Sequence, residues 1–125
     1  PPVTRPFALR FEIRRGDLPR LSERLLNLSS SLPETFRVAL YEESLAVLGL
    51  AQLYVPIRTG RLFRSGRAYW PSRRDPRVNV QFLAPYALAV HELHPTRAKY
   101  LERAVNERLP GMARRLARRV AELGP

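Results

Sequence analysis

Two histidines flank a glutamate in the stretch VHELH, as His91, Glu92 and His94. A helical zinc-protease site needs the histidines four apart, so that both imidazoles leave one face, with the glutamate beside the first as general base. Here they are three apart, Pro95 follows at once, and no third ligand is near. The stretch reads as the polar end of a helix. The stretch RTGRLFRSG, ending at Gly66, has the glycines of a phosphate loop. It lacks the Gly-Lys-Ser/Thr ending that brings a lysine to phosphate and a hydroxyl to magnesium. Thr59 and Ser65 carry hydroxyls with no base in local reach to activate them. Glu42 and Glu43 are paired carboxylates in sequence only, because adjacent residues on a helix diverge; they read as a solvated or ion-paired face. No cofactor, metal or catalytic set emerges, and the expectation is a protein that is not an enzyme.

Arginine is the other chemistry on offer. Arg58, Arg61, Arg64 and Arg67 recur every third residue, Arg73, Arg74 and Arg77 follow, and Tyr69 and Trp70 stand between the groups. Basic residues interleaved with aromatics suit single-stranded nucleic acid, although the aromatics fit equally well as strand residues packing on a core. Arg114, Arg115, Arg118 and Arg119 form a second basic face, which Glu107 and Glu122 partly neutralise; a solvated face is the expectation there.

These residues need elements to position them. Phe7, Leu9, Phe11 and Ile13 alternate with Ala8, Arg10, Glu12 and Arg14, the period of a strand with one buried face. Gly16-Asp17 ends it, and Asp17 suits a helix cap. Leu18, Leu21, Leu25, Leu28 and Leu32 repeat at helical spacing until SSSLP breaks the pattern. A second helix runs from Pro33, well placed in a first turn, to about Tyr54. Its stripe is Phe36, Leu40, Val47, Ala51 and Tyr54, and Tyr41, Leu45 and Leu48 widen it. So broad a face predicts burial on more than one side. Gly49 weakens the helix or admits another backbone.

Pro56 ends that helix. RAYW (Arg67 to Trp70) and VNVQFLA (Val78 to Ala84) read as strands, with Val78, Val80 and Phe82 on one face. PSRRDPR is the turn between them, and YALAVHE is a short apolar helix. The last helix starts near Thr96 and carries Leu101, Val105, Leu109, Met112, Leu116, Val120 and Leu123, with Pro110 set to kink or restart it. The order β-α-α-loop-β-β-α-α makes one α+β domain over residues 1–125. Residues 1–5 are an extended N-terminus, and the sheet of three antiparallel strands has edges free to pair.

The chain has 125 residues, no cysteine and a formal net charge of +11. That length supports one core, with no disulfide or thiolate-metal framework. No apolar run approaches the ~20 residues of a membrane span and no signal-peptide core stands at the N-terminus, so the expectation is a protein of the cell interior with no membrane contact. The charge favours polyanions through counterion release, although arginine alongside much alanine, leucine and proline also fits a GC-rich genome.

The segment YVPIRTGRLFRSG resembles the Pro-Val-x-Thr-Gly-x-Leu-x-x-Ser signature of the tail-completion, or tail-terminator, proteins of long-tailed phages, through Pro56, Thr59, Gly60, Leu62 and Ser65. PYALAVHE is similar to that family's Tyr-Ala-x-x-Val-Glu segment through Tyr86, Ala87, Val90 and Glu92. KYLERAV resembles the start of its last helix through Leu101 and Ala104. The three stand in the family's order over most of the chain. This chain departs from the pattern at Arg58, where an acidic or small polar residue is common, and at Gly66, where isoleucine is frequent. The Gly-Thr after the Val-Glu segment is missing, and LHPTRA replaces a longer loop.

The resemblance implies a virion protein of the tail and neck, assembled in the host cytoplasm. Such proteins form rings, typically hexameric, at the head-proximal end of the tail. The ring stops polymerisation of the tail-tube protein and joins the head-completion or connector protein, and DNA passes through its lumen without sequence-specific binding. On this reading Val55–Gly66 is a flexible docking loop, with Pro56, Arg58, Thr59, Gly60, Arg61, Leu62, Arg64 and Ser65 as its docking residues. Thr59, Ser65 and the arginines supply its hydrogen bonds. A sheet edge and the Leu101–Leu123 helix meet neighbouring subunits, Arg73, Arg74 and Arg77 face the lumen, and some arginines pair across subunits. The alternative is a small basic nucleic-acid-binding module.

Overall fold

The computed structural model describes residues 9–14, 27 and 29–124. The leucine-repeat helix expected from Leu18, the cap at Asp17, Phe7 and the N-terminal residues 1–5 fall outside that range, except that residues 27 and 29–31 are helical and Leu32 is a bend. The helical pattern thus persists into the serines, and the break falls at Leu32.

Strand β1 (Leu9–Arg14) follows from the alternation of apolar and polar residues. Helix α1 (Pro33–Tyr54) has the bounds its prolines dictate, with Pro33 in its first turn and Pro56 two residues past its end. A one-turn helix α2 (Arg61–Arg64), strands β2 (Gly66–Ala68) and β3 (Arg77–Phe82), and helices α3 (Ala87–Leu93), α4 (Tyr100–Arg108) and α5 (Met112–Leu123) complete the described chain. The sheet order is β1-β3-β2, antiparallel throughout. Phe11 pairs with Val80 and Leu9 with Phe82, while Gly66 lies opposite Phe82 on the other side. The described residues therefore build an α+β fold with a small three-stranded antiparallel sheet.

Helix α1 is the hub. Phe36, Ala39, Leu40, Val47 and Ala51 are buried along it, and it packs against β2 and β3 on one side and α4 and α5 on the other. The broad face does find more than one partner. Leu48 reaches β2, where a Cβ on Gly66 would stand 2.7 Å from Leu48 Cδ1 and 3.0 Å from Phe82 Cε1. Gly66 is what lets helix and strand approach so closely. Tyr41 stacks on Trp70 with centroids 4.2 Å apart. Trp70 is thus a surface stacking partner beyond the strand, and β2 ends at Ala68 and not at Trp70. Leu45, Gly49 and Leu53 face outward, and a Cβ on Gly49 would meet nothing within 4 Å.

The last helix restarts as well as starting late. The sequence places its start near Thr96, whereas α4 begins at Tyr100. Residues 95–99 form turns, in which His94 Nδ1 accepts the backbone N–H groups of Thr96 and Arg97, at 3.2 and 2.9 Å. Lys99 then turns the chain in the left-handed region, φ 59°. Pro110 and Gly111, φ 78°, separate α4 from α5. Leu101, Val105, Met112, Leu116 and Val120 are buried in the core cluster, where both helices pack on α1. The apolar stripe of this helix pair is thus consumed inside the chain, and only Leu123 at its end is exposed.

Candidate functional site

The segment after α1 is ordered by its own side chains. Val55 closes α1 and is fully buried. Gly60 takes φ 78°, a conformation natural to glycine. The Thr59 hydroxyl accepts the Arg61 N–H at 3.3 Å, and the Ser65 hydroxyl donates to the Leu62 carbonyl at 2.7 Å. The turn between them is α2. Leu62 points into the core, 4% exposed, and Gln52 Nε2 on α1 donates to the Phe63 carbonyl at 3.1 Å. The loop expected over Val55–Gly66 therefore holds a helical turn seated on α1. The hydroxyls expected to serve docking close that turn, which leaves the guanidinium groups as its outward chemistry.

The second motif supplies the facing wall. Tyr86 and Val90 come from the start and first turn of α3, and His94 from just past its end. Together with Pro56, Leu62 and the arginines of the first motif they enclose an open groove of about 900 Å³. The Arg61 guanidinium lies over the Tyr86 ring, 5.8 Å from its centroid. Arg64 Nη1 turns back to the Thr59 carbonyl at 3.4 Å, and Arg67 Nη1 donates to the carbonyls of Arg64 and Gly66. None of Arg58, Arg61, Arg64 and Arg67 has a carboxylate partner among the described residues.

The rest of the second and third motifs holds the groove wall in place. Ala87 is buried, and its carbonyl accepts the Tyr100 hydroxyl at 2.9 Å. Tyr100 is fully buried between Phe82 and His91, edge-on to each at 5.2 and 4.9 Å. Burial pushes its phenol well above the usual range. Leu101 and Ala104 fill the same core. Tyr100 itself carried no signal in the sequence beyond its place before Leu101.

His91 and Glu92 act as a clamp between α3 and α4. His91 is buried; its Nε2 accepts the Glu102 N–H at 3.3 Å and its Nδ1 faces Glu92 at 3.3 Å. Burial lowers its pKa, against the smaller opposing pull of Glu92. Glu92 in turn holds Lys99, whose ammonium is its strongest hydrogen-bond partner and keeps its carboxyl below the usual range. Both His91 ring nitrogens and His94 Nδ1 are thus engaged with the chain itself. No cluster of three or more metal-ligating side chains forms among the described residues.

The other arginines divide by partner. At the hairpin tip Arg77 is held between Asp75 and Glu12, and Arg73 pairs with Glu34 at 3.4 Å. Arg74 alone of that trio lacks a carboxylate among the described residues. On α5, Arg115 turns inward to Glu43 at 3.0 Å, and Arg119 to Glu42 at 2.8 Å. Glu107, expected to neutralise this face, instead accepts the Tyr54 hydroxyl and pairs with Arg103. Arg114 and Arg118 are left on the outer surface, along a shallow groove with Ala117 and Ala121. Glu43 is the charge the sequence understated: only 6% exposed, it also takes Arg108 Nη2 at 2.7 Å. Comparison with protein-family models, curated proteins and solved structures finds no match for this chain.

Proposed function

We propose that this chain is a structural assembly protein of a phage tail and neck: it forms a ring at the head-proximal end of the tail, ends tube polymerisation and joins the head connector, without bond-making chemistry. The observation that carries the joining role in this reading is the groove. The Thr-Gly-x-Leu and Tyr-Ala-x-x-Val motifs, about two dozen residues apart in sequence, face each other across one open concavity with an apolar floor and an arginine rim. Residues that serve only the fold have no need to leave such a surface uncovered. The sheet supports the same reading, since among the described residues β1 and β2 are edges with β3 between them, and sheet edges take further strands.

Native mass spectrometry with negative-stain imaging of the purified chain, alone and with tail tubes, is the test. Closed rings, or rings capping tube ends, are the expected result; a monomer at high concentration that ignores tubes and connectors refutes the proposal. A basic nucleic-acid-binding module is the second reading, favoured by the exposed arginines without carboxylates. It requires a monomer that binds oligonucleotide with an affinity falling steeply as salt rises.

A further inference from the structure

Charge divides unevenly over the described residues. Every described carboxylate, from Glu12 on β1 to Glu122 on α5, has an arginine or lysine nitrogen at 3.9 Å or closer. Asp17 and Glu23 lie outside the described residues. The groove arginines Arg58, Arg61 and Arg64 have no carboxylate among the described residues, and all three are exposed. Arg67, Arg74, Arg97, Arg114 and Arg118 also lack one among the described residues, but Arg58, Arg61 and Arg64 are the three that line one concavity, where the two motifs meet.

From this we infer that the groove receives a segment of a different protein, one that carries carboxylates around an apolar anchor, and that it is not a contact between copies of this chain. The inference rests on the assembly reading above and names what the docking segment meets. A described surface of a second copy has only carboxylates already held by its own arginines. Moving one of them onto Arg58 or Arg61 exchanges one ion pair for another and strands a cation on the donor, so self-association gains little from this rim. A partner that brings its own carboxylates gains directly, because charge complementarity sets encounter rate and partner choice. Arginine's planar fork suits carboxylate in two-point geometry.

The floor selects the anchor. Pro56, Leu62 and Val90 line it, and the Tyr86 ring lies beneath the Arg61 guanidinium. An apolar side chain seated there is desolvated against this floor while its acidic neighbours reach the rim. A phosphate backbone satisfies the arginines, but a base could stack only on Tyr86, whose ring Arg61 already covers, and the aliphatic Pro56 and Val90 surface is left over, which is why an acidic peptide fits better than nucleic acid.

The test uses the full chain and fluorescein-labelled probes at physiological salt: a short peptide of leucine and glutamate at helical spacing, the same peptide with glutamine for glutamate, and an oligothymidylate. The Leu/Glu peptide is expected to bind, and its glutamine counterpart to bind about tenfold more weakly, as three exposed ion pairs would give. Arg58→Gln/Arg61→Gln/Arg64→Gln loses the same factor and keeps its melting temperature and its state of association. Arg74→Gln/Arg114→Gln/Arg118→Gln removes equal charge elsewhere and stays within about twofold of the parent. No binding of the Leu/Glu peptide, equal binding of its glutamine counterpart, or preference for oligothymidylate that the groove triple variant abolishes overturns the inference. So does loss of self-association in that variant, which makes the groove an inter-copy contact and leaves the ring reading intact. A parent chain that never self-associates removes the ring reading, while the peptide series still decides the groove.

Discussion

Glu43 offers the sharpest perturbation of the fold that holds the groove. It sits on α1 where α4 gives way to α5, and it ties both to the hub. Arg108 Nη2 stands 2.7 Å from one carboxylate oxygen, and Arg115 Nη2 stands 3.0 Å from the other. Glu43→Gln keeps the volume and removes the charge, leaving two guanidinium groups facing each other. Breaking a buried ion pair by deleting one partner costs about 3–5 kcal/mol. Two features lower that figure. The Arg108 and Arg115 side chains keep 27% and 25% of their surface, so water recovers part of the loss. Arg115 also keeps the carbonyls of Pro110 and Arg108 as acceptors. About 2–3 kcal/mol remains. For a chain of this length each kcal/mol moves the melting temperature by about 3–5 °C, so the expected drop is about 6–15 °C by circular dichroism. Glu42→Gln is the internal control: Glu42 and Arg119 are 40% and 42% exposed, and such a pair contributes about 0–1 kcal/mol. If Glu43→Gln melts within about 2 °C of the parent, or no lower than Glu42→Gln, the buried-charge account of the α1–α4–α5 junction is wrong.

Gly66→Ala should destabilise by about 1–3 kcal/mol, the usual cost of overpacking, because its Cβ falls 2.7 Å from Leu48 Cδ1 and 3.0 Å from Phe82 Cε1; urea unfolding measures it, and a neutral result means α1 is free to shift off β2. Gly49→Ala should stabilise the isolated chain by about 0.5–1 kcal/mol through helix propensity, since open space surrounds it; a loss would reveal a packed neighbour at that face. Burial lowers the His91 pKa against Glu92, with Lys99 and Glu102 also facing it, so the unfolded chain binds the extra proton first. The resulting stability is present above the ordinary histidine pKa of about 6.5 and is lost as pH falls below it. His91→Gln should flatten stability between about pH 7.5 and 5.5. By NMR the His91 ring in the parent should titrate below about 6.5, and a midpoint above that value refutes the sign.

Much of the fold is legible because burial imposes a period on the chain. The alternation at Leu9 and Phe11, the triplet Val78, Val80 and Phe82, and the stripe from Phe36 to Ala51 each point to an element that the structure contains. Boundaries are legible where proline sets them, as at Pro33 and Pro56. They fail where one residue's local geometry decides. Lys99 in the left-handed region, φ 59°, interrupts a helix that would start at Thr96, and the Thr59 and Ser65 hydroxyls make a helical turn in a segment whose glycines suggest an irregular loop. Propensity is summed over a window, whereas a cap is one hydrogen bond at one residue, and the window misses it.

The candidate site is harder to read from sequence, because it is made by pairs far apart in the chain. Glu43 finds Arg108 and Arg115 across 65 and 72 residues, and Glu42, its neighbour, leaves α1 in another direction to reach Arg119. Divergence of adjacent helical residues predicts that they do not face each other; it does not say which arginine each will meet. The net charge of +11 has the same limit. It fixes how many cations exceed the anions, but the surplus acts only where it sits. Strand pairing and the hairpin consume Arg77, and helix packing consumes Arg108, Arg115 and Arg119, on carboxylates, which leaves the arginines of the Val55–Gly66 segment facing an apolar groove. A polyanion-binding chain and an assembly protein can share one composition. What would separate them is whether the unneutralised arginines lie over a polar surface or over an apolar floor, and the floor formed here with Pro56, Val90 and Tyr86 is the ground on which the assembly reading is proposed.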